Sequence, residues 1–160
     1  MKAAVVMGSK SDYDQVKKCV DVLDEFGVET EVRVISAHRT PDRAVEFARG
    51  AEDRGVEVIV ACAGMAAHLA GFIAANTAVP VIGVPMKSAS LEGLDALLAT
   101  VMMPSGIPVA TVAIDGTKNA GYLAVQILSV KYPELREKIK TFRKEQEENI
   151  VKADNEVGRK

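Results

Sequence analysis

The chain has 160 residues and a formal net charge of -2, and 48% of its residues are apolar while only 4% are aromatic. This length and composition fit one compact domain whose core is filled by small aliphatic side chains. The balanced charge argues against a general affinity for nucleic acid, and no leader or long apolar segment is visible, so we expect a soluble, cytoplasmic protein without membrane contact.

Apolar runs alternate with amphipathic segments along most of the chain. The runs predict β-strands at residues 3–7, 28–35, 56–62, 80–84 and 109–114. Helical periodicity predicts helices that end at Gly27 and at Gly55, a helix reaching about residue 76, and helices over 91–102 and 119–130. Pro41 suits the first turn of the second helix, with Thr40 as its candidate N-cap. This alternation predicts an α/β fold with a five-stranded parallel sheet between two helical layers, in flavodoxin-like order.

The segment after Pro133 differs from the rest because it is rich in charge. Its apolar residues at helical spacing are Leu135, Ile139, Phe142 and Ile150. They predict a long amphipathic helix added to a complete α/β domain, so we divide the chain into a catalytic domain at 1–132 and a C-terminal helix and tail at 133–160 within the same domain unit. The apolar face that these residues form could pack across its own domain or dock on another subunit, and we favour the subunit interface. Residues from about Asp154 are expected to fray.

Polar loops follow the first two predicted strands. Because the carboxyl ends of parallel strands lie at one edge of a sheet, where ligands bind, both loops are expected in one crevice. The first loop offers Gly8, Ser9, Ser11 and Asp12, and the second offers Ser36, His38 and Arg39. Such a set could hold a phosphorylated, hydroxylated small molecule and move a proton on it.

Most of these polar groups could act on a ligand or have a purely structural role. His38 is the candidate proton-transfer group, because imidazole gives and takes protons near neutral pH. Arg39 could bind a phosphate or carboxylate, or pair with Asp42 on the surface. Ser9, Ser11 and Asp12 could cap a helix, while free N–H groups at the helix start could bind phosphate.

The loop after the third strand combines small residues with the second of only two histidines. Gly64, Ala66 and Ala67 could leave room for a ligand or simply allow a helix to pack closely on a strand. His68 opens a helix, and a binding role and a structural role stay equally open for it.

Several common sites are absent from the sequence. The Gly-Ser-Lys-Ser run at 8–11 lacks the upstream glycine of a Walker A loop, and no Gly-x-Gly-x-x-Gly follows the first strand. Cys19 and Cys62 are predicted core residues, and no closely spaced His/Cys cluster suits zinc. The sequence therefore indicates no ATP, dinucleotide or metal.

Five sequence blocks, in the same order, resemble the bacterial 5-(carboxyamino)imidazole ribonucleotide mutase family of purine biosynthesis. The blocks lie at residues 6–12, 36–41, 63–69, 83–85 and 103–109, and the resemblance extends from residue 1 to about residue 130. At Met65 the family often has a glycine.

This resemblance implies a flavodoxin-like domain and a homo-octamer whose active sites lie between subunits, with no cofactor. The family isomerises an aminoimidazole ribonucleotide, without ATP or metal, by moving a carboxylate from the exocyclic nitrogen to a ring carbon. His38 is then the predicted catalytic residue, which carries the proton. The predicted substrate-binding residues are Gly8, Ser9, Ser11, Asp12, Ser36, Arg39, Gly64, Ala66 and His68.

Three alternatives remain at this stage. A related carboxylase would use free carbon dioxide, but the loop at 63–69 favours the mutase branch, because carboxylase members look different there. A receiver-like signalling domain would need clustered acids after the first strand and an Asp after the third, where this chain has Cys62, Ala63 and Gly64. A nucleotide-binding module would bind the ribonucleotide without turnover.

Overall fold

The computed structural model, which describes residues 1–158, is built around one parallel sheet. Its strands are β1 (Lys2–Met7), β2 (Glu29–Val34), β3 (Val58–Gly64), β4 (Val81–Met86) and β5 (Ala110–Thr111). Its helices are α1 (Tyr13–Glu25), α2 (Pro41–Arg49), α3 (Leu69–Ala74), α4 (Leu94–Val101), α5 (Thr117–Leu128) and α6 (Pro133–Val157). The strand order β2-β1-β3-β4-β5, with helices on both faces, confirms the predicted flavodoxin-like α/β architecture.

Alternate residues of the central strands fill two cores, one on each face of the sheet. In β1, Val5 and Met7 belong to the core shared with α1, α5 and α6, whereas Ala4 and Val6 belong to the core shared with α2 and α3. This is why the central strands read as continuous apolar runs without polar alternation. Gly83 of β4 has no room for a side chain, because a Cβ there would overlap the side chains of Thr100 and Val109.

Some helices and strands begin or end at residues other than those predicted from the sequence periodicity. Helix α2 ends at Arg49 rather than at Gly55, because the N–H of Gly50 closes the last turn on the carbonyl of Glu46 and the chain then turns. Helix α4 begins after Gly93, whose φ of 90° is left-handed and interrupts any helix from residue 91. Strand β5, predicted over 109–114, pairs with β4 over only two residues.

Helix α6 is continuous to Val157, so the prediction of fraying is wrong for residues 154–157, while residues 159 and 160 lie outside the described part of the chain. Leu135 is fully buried in the core, and Ile139 and Phe142 pack partly against the same core. The side chain of Ile150, in contrast, is 72% exposed. The first half of α6 therefore packs across its own domain, and an interface role stays a prediction for the second half.

Among residues 1–158, none of the helices combines the length and the apolar composition needed to cross a bilayer.

Candidate active site

A cleft of about 660 Å³ opens at the edge of the sheet where β1 to β4 end. It is lined by the loops that follow these four strands. The predicted residues on its wall are Gly8, Ser9, Ser11, Asp12, Ser36, His38, Arg39, Gly64 and Ala66. The parallel strands thus bring together groups that are far apart in the sequence, and the catalytic and binding roles of these residues stay predictions.

The first loop is ordered by its own hydroxyl groups. Ser9 caps the short 3-10 turn at Lys10–Asp12, accepting hydrogen bonds from the N–H of Ser11 at 3.3 Å and from its hydroxyl at 2.8 Å. Asp12 precedes α1 but makes no side-chain capping bond. Burial raises the pKa of Asp12, a hydrogen bond from Ser11 opposes this, and the charge of Asp115 adds to the rise. Because its side chain caps no helix and lines the cleft, the Asp12 carboxyl group can hydrogen-bond to a hydroxylated ligand there.

Arg39 is held over the start of the first loop. Its Nε donates to the hydroxyl of Ser36 at 3.3 Å, and its Nη2 donates to the carbonyl oxygen of Gly8 at 3.2 Å. These oxygens, rather than the carboxylate of Asp42, position the guanidinium, which keeps its charge available to an anion in the cleft.

Thr40 occupies the predicted N-cap position of α2, but its hydroxyl supports this loop instead of bonding to the helix. Its hydroxyl accepts the N–H of Ser36 at 3.2 Å and donates to the carbonyl of Ser36 at 2.9 Å, and it makes no capping bond to the helix. Pro41 occupies the first turn of α2, as predicted.

The two histidines meet at the rim of the cleft. Nε2 of His38 lies 2.9 Å from Nδ1 of His68, and the ring planes are 89° apart. His38 lines the cleft, whereas His68, which directly precedes α3, is exposed and is not among the lining residues. Sequence reasoning placed both rings at the same sheet edge but did not predict their contact.

In the small-residue loop after β3, one residue packs against β4 and another lines the cleft. A Cβ at Gly64 would lie 3.2 Å from the carbonyl oxygen of Met86, so a side chain there would push β4 away by a few tenths of an ångström. Ala66 is exposed and lines the cleft. Met65 adopts a φ of 54°, a left-handed conformation that favours glycine, the residue that the resembling family often has.

The loop after β4 supplies cleft residues that the sequence reasoning missed: Lys87, Ser88 and Ala89. The N–H of Lys87 donates to the carboxylate of Asp115 at 2.9 Å, and its ammonium group pairs with Glu92. The hydroxyl oxygen of Ser88 is buried and has no hydrogen-bond partner in residues 1–158. The available signal was positional, because this loop also follows a strand that ends at the ligand edge.

The cysteines lie in the core and take no part in the cleft. Burial raises the pKa of Cys19 to about 12 and raises the pKa of Cys62 well above its usual value. Both are therefore thiols at neutral pH and not activated nucleophiles. Within residues 1–158, no three His, Cys, Asp or Glu side chains converge as a metal site would require.

Comparison with known proteins agrees with this fold. A family profile described as AIR carboxylase matches residues 2–149. The N5-carboxyaminoimidazole ribonucleotide mutase of Pyrococcus abyssi is 59% identical over 90% of this chain and 83% of that protein. The protein of the same name from Saccharolobus solfataricus is 53% identical over 94% of this chain and 95% of that protein. The crystal structure of Treponema denticola PurE matches with a TM-score of 0.86 at 29% identity, covering 96% of each chain.

These matches extend over nearly the whole chain and confirm the resemblance found in its five sequence blocks. The chain therefore belongs to the AIR carboxylase family.

Proposed function

We propose that this chain is an N5-carboxyaminoimidazole ribonucleotide mutase of de novo purine biosynthesis. It converts 5-carboxyamino-1-(5-phospho-D-ribosyl)imidazole to 5-amino-1-(5-phospho-D-ribosyl)imidazole-4-carboxylate. The observation that carries the proposal is the cleft in which His38 lies beside Arg39, Ser9 and Asp12. Relatives with 50% to 59% identity that are named as this mutase support it.

The chemistry needs one proton carrier. Protonated His38 gives its proton to the exocyclic nitrogen, the nitrogen–carboxylate bond breaks, and carbon dioxide and the aminoimidazole remain in the cleft. The ring carbon C4 then attacks carbon dioxide, and neutral His38 removes the proton that this carbon loses. His38 ends as it began, and an isomerisation of this kind consumes no ATP.

The rest of the cleft has the task of holding the substrate in place. Arg39 and the hydroxyls of Ser9 and Ser11 would bind the phosphate, and Asp12 would accept hydrogen bonds from the ribose hydroxyls. Ser36, Gly64 and Ala66 lie on the same wall and would shape the space in which carbon dioxide is retained. Retention matters because escape of carbon dioxide would end the reaction as a decarboxylation.

The deciding experiment supplies the N-carboxylated ribonucleotide without ATP and follows the appearance of the C4-carboxylated isomer. We expect rapid conversion. A parallel reaction supplies the uncarboxylated aminoimidazole ribonucleotide with bicarbonate. Product formed efficiently only in the second reaction would identify a carboxylase that uses free carbon dioxide, and binding without conversion in either would identify a nucleotide-binding module.

Loss of the Arg39 guanidinium is expected to weaken substrate capture. Arg39→Ala should raise KM by about tenfold to a hundredfold, because a hydrogen bond to a charged group contributes about 1.5–3 kcal/mol. If Arg39 binds the phosphate, removing the phosphate from the substrate should raise KM much less in this variant than in the wild type.

The matched control is Arg43→Ala, which removes the same charge from the exposed surface of α2. Its KM should remain within about twofold of the wild-type value, as is usual for surface substitutions. Additive losses from Arg39→Ala and removal of the phosphate would place the phosphate elsewhere in the cleft.

The proposal includes assembly into a homo-octamer in the cytoplasm, as the resemblance implies. Leu94, Leu98 and Val101 stand one and two turns apart on α4, and all three are exposed. An exposed apolar helix stripe suits burial against another copy of the chain. The exposed second half of α6 offers a further surface for the same purpose.

A further inference from the structure

The contact between His38 and His68 restricts where protons can sit. The ring centres are 5.0 Å apart and the two facing nitrogens are 2.9 Å apart, so both nitrogens point toward the other ring. A hydrogen bond at this distance holds one proton, because two N–H groups cannot face each other. When both rings are neutral, they must therefore carry their protons on the same kind of nitrogen: both on Nε2 or both on Nδ1.

The proton cycle proposed for His38 selects the first arrangement. Protonated His38 carries hydrogens on both ring nitrogens, so its Nε2–H faces Nδ1 of His68, and that Nδ1 must carry no hydrogen. The ring of His68 then serves as the neutral acceptor through Nδ1, and Nε2 of His38 donates to it. Nδ1 of His38 is left as the nitrogen that can exchange a proton with a molecule in the cleft.

We propose that His68 is a positioning residue that fixes the ring orientation and the Nε2–H tautomer of His38. This rests on the proposed function for the role of His38 but not for the contact itself. In the protonated state His38 carries hydrogens on both nitrogens. After it gives the Nδ1 proton to the substrate, the Nε2 proton still bonds to His68, so neither ring has to turn between the two proton transfers.

Two other roles for His68 fit the structure less well. A cap for α3 is not supported, because the His68 side chain makes no capping hydrogen bond. A direct substrate ligand would line the cleft, and His68 is not among the lining residues. A positioning role uses the polar contact that its side chain does make.

The kinetic test compares His68→Phe with His68→Asn. Phe keeps an aromatic ring but removes the acceptor, whereas the Asn amide can place an oxygen near the position of Nδ1. We expect His68→Phe to lower kcat by about tenfold to a hundredfold, the range found when a hydrogen bond that orients a metal-bound histidine is removed. KM should stay nearly unchanged, and His68→Asn should recover most of the lost kcat.

A spectroscopic test needs no turnover. The chain has only two histidines, so ¹⁵N-histidine labelling gives two ring systems, and His68→Phe leaves His38 alone. In the wild type above the titration range of both rings, we expect both to be Nε2–H tautomers. In His68→Phe, the ring nitrogen shifts of His38 should move toward a mixture of tautomers.

These readouts separate the inference from the proposed function. A wild-type His38 ring in the Nδ1–H form, or His38 shifts unchanged by His68→Phe, would overturn the positioning role even in an active enzyme. A raised KM with normal kcat would identify His68 as a substrate ligand instead. Equal loss of kcat in the Phe and Asn variants would mean that an amide acceptor cannot replace the imidazole ring of His68. Coupled tautomers in a protein without isomerase activity would instead refute the proposed function alone.

Discussion

Replacement of His38 by Asn is expected to lower kcat by about 10²–10⁴-fold, the usual contribution of a general acid–base group. Asn can keep polar contacts at the cleft rim but cannot carry a proton between nitrogen and carbon near neutral pH. Because the proposed binding groups, Arg39, Ser9 and Asp12, remain in place, KM should change little. Steady-state kinetics with the N-carboxylated ribonucleotide measures both parameters.

Thermal unfolding and product binding serve as controls for this variant. His38 is exposed in a loop, so His38→Asn should leave the thermal unfolding midpoint close to that of the wild type. Binding of the C4-carboxylated product, measured by calorimetry, should also be retained. A folded variant with a rate near that of the wild type would remove His38 from the mechanism.

Truncation after Lys131 is expected to destabilise the whole domain. It removes Leu135, which is fully buried, together with Phe142, whose ring stacks on Tyr122 at 4.8 Å between centres. A single buried Leu-to-Ala change costs about 2–5 kcal/mol, and a domain is stable by only about 5–15 kcal/mol. We therefore expect a lower urea midpoint or partial unfolding, measured by circular dichroism.

Truncation after Gln146 is the matched control, because it keeps Leu135, Ile139 and Phe142 and removes only the exposed part of α6. Its free energy of unfolding should change by no more than about 0.5 kcal/mol, as is usual for surface changes. If this part docks on another subunit, light scattering should show a smaller assembly. An unchanged particle size would contradict an interface role for the second half of the helix.

The sequence was sufficient for the sheet and for most of the cleft, because these depend on local patterns. Apolar runs such as residues 3–7 can be buried on both faces only as central parallel strands, which fixes where their carboxyl ends lie. The polar loops at Gly8 and Ser36 then had to meet at one edge. Boundaries such as the start of α4 were less certain, because the left-handed Gly93 breaks a pattern that otherwise reads as helix.

Other features depended on contacts between segments that no local pattern connects. The packing of the first half of α6 could not be predicted from its own residues, because Leu135 is buried in a core that α1 and α5 form. In the same way, Lys87 and Ser88 joined the cleft because β4 lies beside β3, and the contact between His38 and His68 required two loops to approach within hydrogen-bonding distance. The sequence by itself determined which chemical groups stand at the ends of the strands. The tertiary structure decided which of them touch, because side-chain distances follow from how strands pair and helices pack, and these are set by the whole core rather than by any one segment.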